Sequence, residues 1–382
     1  MRRVGHFPST WRVALGTGVL VALLSGCSIF SSSSKPKPAA LETLAPTIAG
    51  RVVWRQSLDS VKFQLAPAVV DGNFIVAGSD GTVTALAAAT GQTVWRVSVG
   101  ERLSAGVGSD GRHSAVVTSN NDLVVMDHER IVWRKSVGAP VITAPLVAGE
   151  RVFVQRVDRV VQAFDIIDGR KLFDLHRAGD ALTLAQAGVL GAFQDTLIAG
   201  HGPRISGLNP LNGDVRWEAS VANPRGTNEV ERLADVLGPP VRAADTVCAR
   251  AFQSAVGCVN AALGTALWTR NVGGTQAIGG DAQAIFGADG SDRITAWNTS
   301  NGDVLWIAEQ LLHRDLSAPL ALGSSVLFGD FEGQVHFLAR DTGKTQLRIA
   351  TDGSPIVGRP VVSGTTVLVV TRNGGLFALR PQ

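Results

Sequence analysis

Short runs of apolar and β-branched residues, each cut off by a Gly, Asp or Asn turn, fill this chain from about residue 50 to its end. Between residues 67 and 99 the runs are 67–70, 74–77, 82–86 and 93–99. The turns between them hold Asp71-Gly72-Asn73, Ser79-Asp80-Gly81 and Ala89-Thr90-Gly91. Runs bounded in this way predict strands joined as hairpins. A helical-pair repeat of similar length is excluded, because turn residues every 8–10 positions leave no window for a three-turn helix. The pattern is that of an all-β protein.

The fourth run of each unit carries a landmark, a Gly followed four positions later by a large apolar side chain. It occurs at Gly50/Trp54, Gly91/Trp95, Gly169/Phe173, Gly213/Trp217, Gly264/Trp268, Gly302/Trp306 and Gly343/Leu347, and at Trp133 with Glu129 in place of the Gly. The eight landmarks are 41, 38, 40, 44, 51, 38 and 41 residues apart. A period near 40 marks a repeat architecture. A Trp on an outermost strand can lie between neighbouring units, with the Gly permitting the turn that delivers it, so these Trp residues read as core.

A second mark fixes how the ring closes. Pro67, Pro145, Pro240 and Pro319 each stand 28 residues before a landmark, where a strand's first residue tolerates the missing N–H. Pro360 opens an eighth unit whose landmark would fall beyond Gln382, whereas Gly50/Trp54 is a fourth strand with no unit before it. The expectation is an eight-bladed β-propeller of four-stranded blades, in which residues about 50–57 complete the blade begun by residues about 355–380. This removes two open sheet edges at once. The propeller is expected over residues 48–382.

The N-terminal residues read as an address. Arg2, Arg3 and Arg12 precede an uncharged apolar stretch at 13–24, too short for a spanning helix and suited to a signal peptide over residues 1–26. Leu24-Ser25-Gly26-Cys27 resembles the lipobox of bacterial lipoproteins, which implies that Cys27 is acylated, and Ser28 after it implies sorting to the outer membrane. The Ser run 31–34 and Lys35-Pro36-Lys37-Pro38 then read as a tether, so residues 27–47 hold the lipidated Cys and a flexible segment. The whole chain carries 35 basic and 32 acidic residues, but the three Arg of residues 1–26 account for the excess. The remainder is neutral, and nothing in its charge points to nucleic acid.

Candidate chemistry is sparse. The Thr-Gly-x-x-x-Trp repeat resembles the docking motif of quinoprotein dehydrogenases, which are also eight-bladed propellers. Those enzymes carry a Ca²⁺ site with a catalytic Asp, and no carboxylate cluster here has Ca²⁺-ligand spacing. The seven His form no metal-binding pair, and no phosphate loop or nucleophile elbow is present. The expectation is therefore no catalytic residue, no metal and no cofactor beyond the lipid. Cys248 and Cys258 flank a turn and can face each other on adjacent strands. In an exported protein this permits a disulfide, and the spacing leaves bonded and free thiols both open.

Function is expected where the repeat stretches. The two longest intervals, 44 and 51 residues, are consecutive, and their surplus falls in the connections 175–187 and 221–236. Equivalent connections emerge on one face of a propeller, so the two should be neighbours on one rim, where rigid scaffolds carry binding loops.

The lipobox, the eight repeats and the segment Asn228-Glu229-Val230-Glu231-Arg232-Leu233-Ala234-Asp235-Val236 resemble the BamB family of lipoproteins in the outer-membrane β-barrel assembly machinery. The resemblance implies a periplasm-facing, lipid-anchored scaffold. Its rim loops would bind the POTRA domains of BamA and aid delivery of unfolded outer-membrane protein clients. The family's Leu-x-Leu-Arg motif maps onto Leu182 and Leu184, with Ala185 where Arg is expected. Its Arg-Leu-Ser/Ala-Asp-Val-Asp motif maps onto Arg232, Leu233, Asp235 and Val236, with Leu237 in place of the second Asp. Both departures remove a charge, so the apolar pair Leu182 and Leu184 is expected to carry more of the contact. A rival expectation is β-augmentation, an unfolded client adding a strand to a blade edge.

Overall fold

The computed structural model describes Met1, Gly5 and residues 36–179 and 182–381. The remaining signal-segment positions and Cys27 lie outside the described residues. Every sheet is four-stranded and antiparallel, and there are eight of them. The first blade is built from Ala68–Val70, Asn73–Ala77, Thr82–Ala87 and Thr93–Ser98. Blades two to seven follow at 103–136, 146–176, 190–220, 236–270, 279–308 and 320–350. Among the described residues there is no helix.

The eighth blade takes Ile356–Ser363, Thr366–Thr371 and Gly375–Pro381 from the end of the chain and Gly50–Ser57 from its beginning. The two termini pair from Gly50 opposite Pro381 to Ser57 opposite Gly375, so the ring closes as the Pro spacing required. Within each blade the second and third strands are almost wholly apolar and buried, and their side chains interdigitate with those of the neighbouring blade. That burial supplies most of the stability.

The landmark has two functions. Gly91 adopts φ of +73°, which only Gly accepts without strain, and a Cβ built there would lie 2.6 Å from the ring of Trp54, on the preceding blade. The Gly is thus the turn of its own blade and the socket for its neighbour's Trp. The same contact joins Trp133 to Gly169, Phe173 to Gly213, Trp217 to Gly264, Trp268 to Gly302, Trp306 to Gly343 and Leu347 to Gly50. Indole N–H groups add a second tie. Trp54 donates to Ala88 O at 2.9 Å, and Trp133, Trp268 and Trp306 donate to Ile166 O, Thr299 O and Arg340 O at 2.8 Å each.

Glu129 departs from the frame because its turn is different. Asp127 pairs directly with Arg130, leaving a two-residue turn of His128 and Glu129 that has no glycine socket. Trp95 instead meets the ring of His128 edge-on, with centroids 6.2 Å apart.

The proline rule needs one correction. Pro67, Pro145 and Pro319 immediately precede their inner strands, but Pro240 and Pro360 lie inside Val236–Ala243 and Ile356–Ser363. In both strands the ladder jumps, from Leu237 to Val241 and from Val357 to Val361. A bulge therefore accommodates the missing N–H.

Cys248 and Cys258 stand opposite each other on the second and third strands of blade five and are joined by a disulfide. Of the segment expected as a tether, residues from Pro38 onward belong to the compact unit. Ala39 N donates to Leu312 O at 2.8 Å, and Ala39 O accepts from Arg314 Nη1 at 3.0 Å. Thr47 N donates to Gln346 O at 2.9 Å, and Leu41 packs on the core of blades six and seven. Arg314 is itself held by buried Asp330, which also accepts from His336 Nε2 at 3.0 Å.

Candidate functional site

The two stretched connections leave the outer strands of blades three and four and enter the inner strands of blades four and five. They meet. Asp235 Oδ2 accepts from Leu184 N at 2.7 Å, and Gly238 N donates to Ala187 O at 2.9 Å. Gly188 pairs with Leu237 in an isolated bridge, and its N–H donates to Thr143 Oγ1 at 2.9 Å. Arg159, from the middle turn of blade three, donates through Nη2 to Leu182 O at 3.1 Å and lies 3.9 Å from Asp235 Oδ1. The connections are therefore fastened to each other and to the scaffold, as a pre-organised binding surface requires.

The excursion at 225–233 holds its own shape. Glu231 accepts from Thr227 N at 2.7 Å and Asn228 Nδ2 at 2.9 Å, while Asn228 Oδ1 accepts from Glu231 N at 2.9 Å. The Thr227 N–H, with its neighbours' help, holds the Glu231 carboxyl below the usual carboxylate range. This reciprocal capping lifts Val230 to the tip, where it is 72% exposed.

The residues singled out from the sequence separate into different roles. Leu182 is exposed, at 38%. Leu184 is half-buried against the cluster of Leu237, Ala277 and Ala318. Arg232 and Leu233 are half-buried in the wall of a cleft of about 560 Å³. Asp235 is committed to fastening the loops. Val236, expected at the interface, is only 2% exposed and sits in the core of blades four and five, so it is not offered to a partner. The reason is that the inner strand of blade five begins at Val236 rather than at Pro240.

The sequence reading missed the cleft's other residues. Glu218 accepts hydrogen bonds from Arg177 and from Arg204 at 2.5 Å, and His201 Nε2 lies 3.2 Å from it. Burial works against the Glu218 charge, but the bonds and charges of Arg204 and Arg177 hold its carboxyl below the usual range. His201 is pushed down to about 4 by burial and then by the Arg177 charge, which together outweigh Glu218. It is neutral at neutral pH. With Arg159 and Arg232 also lining it, the cleft is rich in guanidinium groups. One local signal existed: His201 and Arg204 flank a Gly202-Pro203 turn and so emerge side by side from one hairpin.

Among the described residues no group of three or more His, Cys, Asp or Glu is placed to hold a metal ion. The arrangement presents two exposed apolar side chains, Leu182 and Val230, beside a polar cleft lined by four Arg and by Glu218, Glu229 and Asp235. Apolar anchors within a polar rim are the composition of protein-docking surfaces in general.

Known proteins resemble this chain along most of its length. A family model described as outer membrane protein assembly factor BamB matches residues 8–91 and 79–308. The outer membrane protein assembly factor BamB of Bordetella pertussis is 35% identical over 375 residues, 97% of this chain and 97% of that protein. The crystal structure of BamB from Moraxella catarrhalis superposes with a TM-score of 0.79 at 20% identity, covering 87% of this chain and all of that one. A quinohemoprotein alcohol dehydrogenase from Pseudomonas putida superposes with a TM-score of 0.62 at 14% identity, covering 87% of this chain and 76% of that chain. The two structural likenesses concern the fold alone.

Proposed function

The chain belongs to the BamB family of outer membrane protein assembly factors, and from that premise we propose that it is a non-catalytic scaffold that docks on the periplasmic POTRA domains of BamA. Docking uses the fastened rim loops, with Leu182 and Val230 as apolar anchors and the charged cleft beside them as the polar rim. Acylated Cys27 anchors the propeller to the outer membrane, facing the periplasm, where the complex delivers and inserts unfolded outer-membrane protein clients. No cofactor takes part. The observation that carries this reading is the Asp235–Leu184 bond. It joins the two longest connections of the repeat, which carry the exposed Leu182 and Val230.

The test is Leu182→Asp with Val230→Asp, two exposed positions whose change leaves the core intact. The expected result is unaltered thermal unfolding and loss of BamA from affinity purifications of detergent-solubilised outer membrane. A folded double variant that recovers BamA in full rejects the docking assignment.

A second reading, client capture by β-augmentation, is favoured by a different observation. On the outer strand Val304–Ala308, the side chains of Val304, Leu305 and Ile307 are each more than half exposed. An apolar edge of this kind accepts an added strand. Photo-crosslinks from position 305 to unfolded clients that persist in the loop variant support it, and their absence rejects it.

A further inference from the structure

The central channel of the propeller holds about 1050 Å³, and its charge is one-sided. Lys62, Arg359 and Arg372 line it against a single carboxylate, Asp315. The three cations come from one wall. Val61 N donates to Arg372 O at 3.0 Å and Arg372 N donates to Pro355 O at 2.8 Å, which binds the entry to blade one to the inner edge of blade eight. The bulge between Val357 and Val361 places Arg359 among the channel-lining residues.

Arg359 is the unusual member. Its Nε is shut off from solvent without a hydrogen-bond partner, and no ion pair reaches its guanidinium among the described residues. Burial is the cause that holds its pKa below the ordinary Arg range, with no carboxylate restoring it. Arg359 as a whole is half-buried, so its outer guanidinium edge can meet the channel while its Nε lacks an acceptor, and a ligand carboxylate would supply a charge-assisted partner. The rest of the lining suits a peptide. Gln64, Gln186 and Gln276 line the channel, and amide side chains both donate to and accept from main-chain groups. Gln64 Oε1 accepts from Ala187 N, linking the entry to blade one with the connection into blade four. We propose that the channel is a binding site for an extended acidic peptide segment, with a carboxylate of that peptide paired to Arg359.

Fluorescence anisotropy on the full-length protein in mild detergent tests this, with an end-blocked, labelled hexapeptide containing two Glu and its Gln counterpart as probes. The Glu peptide is expected to bind at least tenfold tighter than the Gln peptide. Arg359→Gln is expected to weaken it by ten- to a hundredfold, the range for loss of a charge-assisted hydrogen bond. Arg51→Gln, on the outer strand of the same blade, leaves binding unchanged. Without peptide, Arg359→Gln is expected to unfold at an equal or higher temperature, because a half-buried charge without a counter-ion has been removed. Equal binding by the Gln peptide, or wild-type affinity in Arg359→Gln, overturns the proposal. So does complete displacement by inorganic phosphate where chloride of equal ionic strength displaces nothing, since the site then takes small oxyanions. A lower unfolding temperature in Arg359→Gln also overturns it, since Arg359 is then structural.

Discussion

The blade-to-blade staple is open to a quantitative test at Trp268 and Gly302. Trp268 is buried, its indole N–H donates to Thr299 O at 2.8 Å, and its ring lies 2.5 Å from where a Cβ on Gly302 would be. Truncation to Ala removes that packing and the bond, and costs about 4 kcal/mol. Gly302→Ala acts through two separate effects. Its φ of +72° adds about 1–2 kcal/mol of backbone strain for a residue with a Cβ, and the clash with the indole adds about 1–3 kcal/mol. If the Gly is a socket as well as a turn, removing the ring relieves the clash and leaves the strain. The double variant should therefore lose about 5–6 kcal/mol rather than the roughly 6–9 kcal/mol of a simple sum, a coupling of about 1–3 kcal/mol. Denaturant unfolding followed by intrinsic fluorescence and by circular dichroism measures the four corners of the cycle. Additivity within about 0.5 kcal/mol refutes the socket and leaves only the turn.

Other consequences are more local. Asp235→Ala removes the acceptor for Leu184 N, and faster amide exchange is expected at residues 184–188, with blades one and two unchanged; unaltered exchange at 184 removes Asp235 as the fastener. His201 gives a pH dependence of known sign. Its folded pKa of about 4 lies below the ordinary 6.5, so the unfolded chain takes up the proton first and stability declines as pH falls from about 6.5 towards 4. His201→Gln should flatten that part of the profile down to about pH 4.5, below which Glu218, whose carboxyl is held low, begins to contribute a loss of its own; an unchanged profile rejects the assignment. Reducing the Cys248–Cys258 bridge opens a loop of ten residues and should cost about 2–3 kcal/mol by chain entropy, read as a lower denaturation midpoint in dithiothreitol.

The fold was legible in the sequence because a propeller blade is a local object. Turn residues, strand runs and the landmark all lie within about 40 positions, and the closure of Gly50–Ser57 onto Gly375–Pro381 followed from counting prolines. What escaped the sequence is what neighbouring blades do to each other. Gly91 reads as a turn, and only the ring of Trp54 arriving from the previous blade makes it a socket. Val236 reads as a loop residue, because a bulge at Leu237–Val241 conceals that the strand has already begun.

The candidate site divides along the same line. Surplus length found the two connections, since length is a property of one segment. The cleft beside them was not found, because Arg177, His201 and Arg204 reach Glu218's carboxylate from the outer strand region of blade three and from two strands of blade four. No spacing rule links residues 177 and 218. The residues whose roles changed most, Asp235 and Val236, are adjacent in sequence and have opposite fates: one is a half-buried fastener, the other core. A partner that binds this rim therefore meets Leu182, Val230 and the guanidinium groups, while Asp235 determines whether those groups are in position when it arrives. Loss of binding in an Asp235 variant with intact anchors accordingly measures loop order, and Leu182→Asp measures contact.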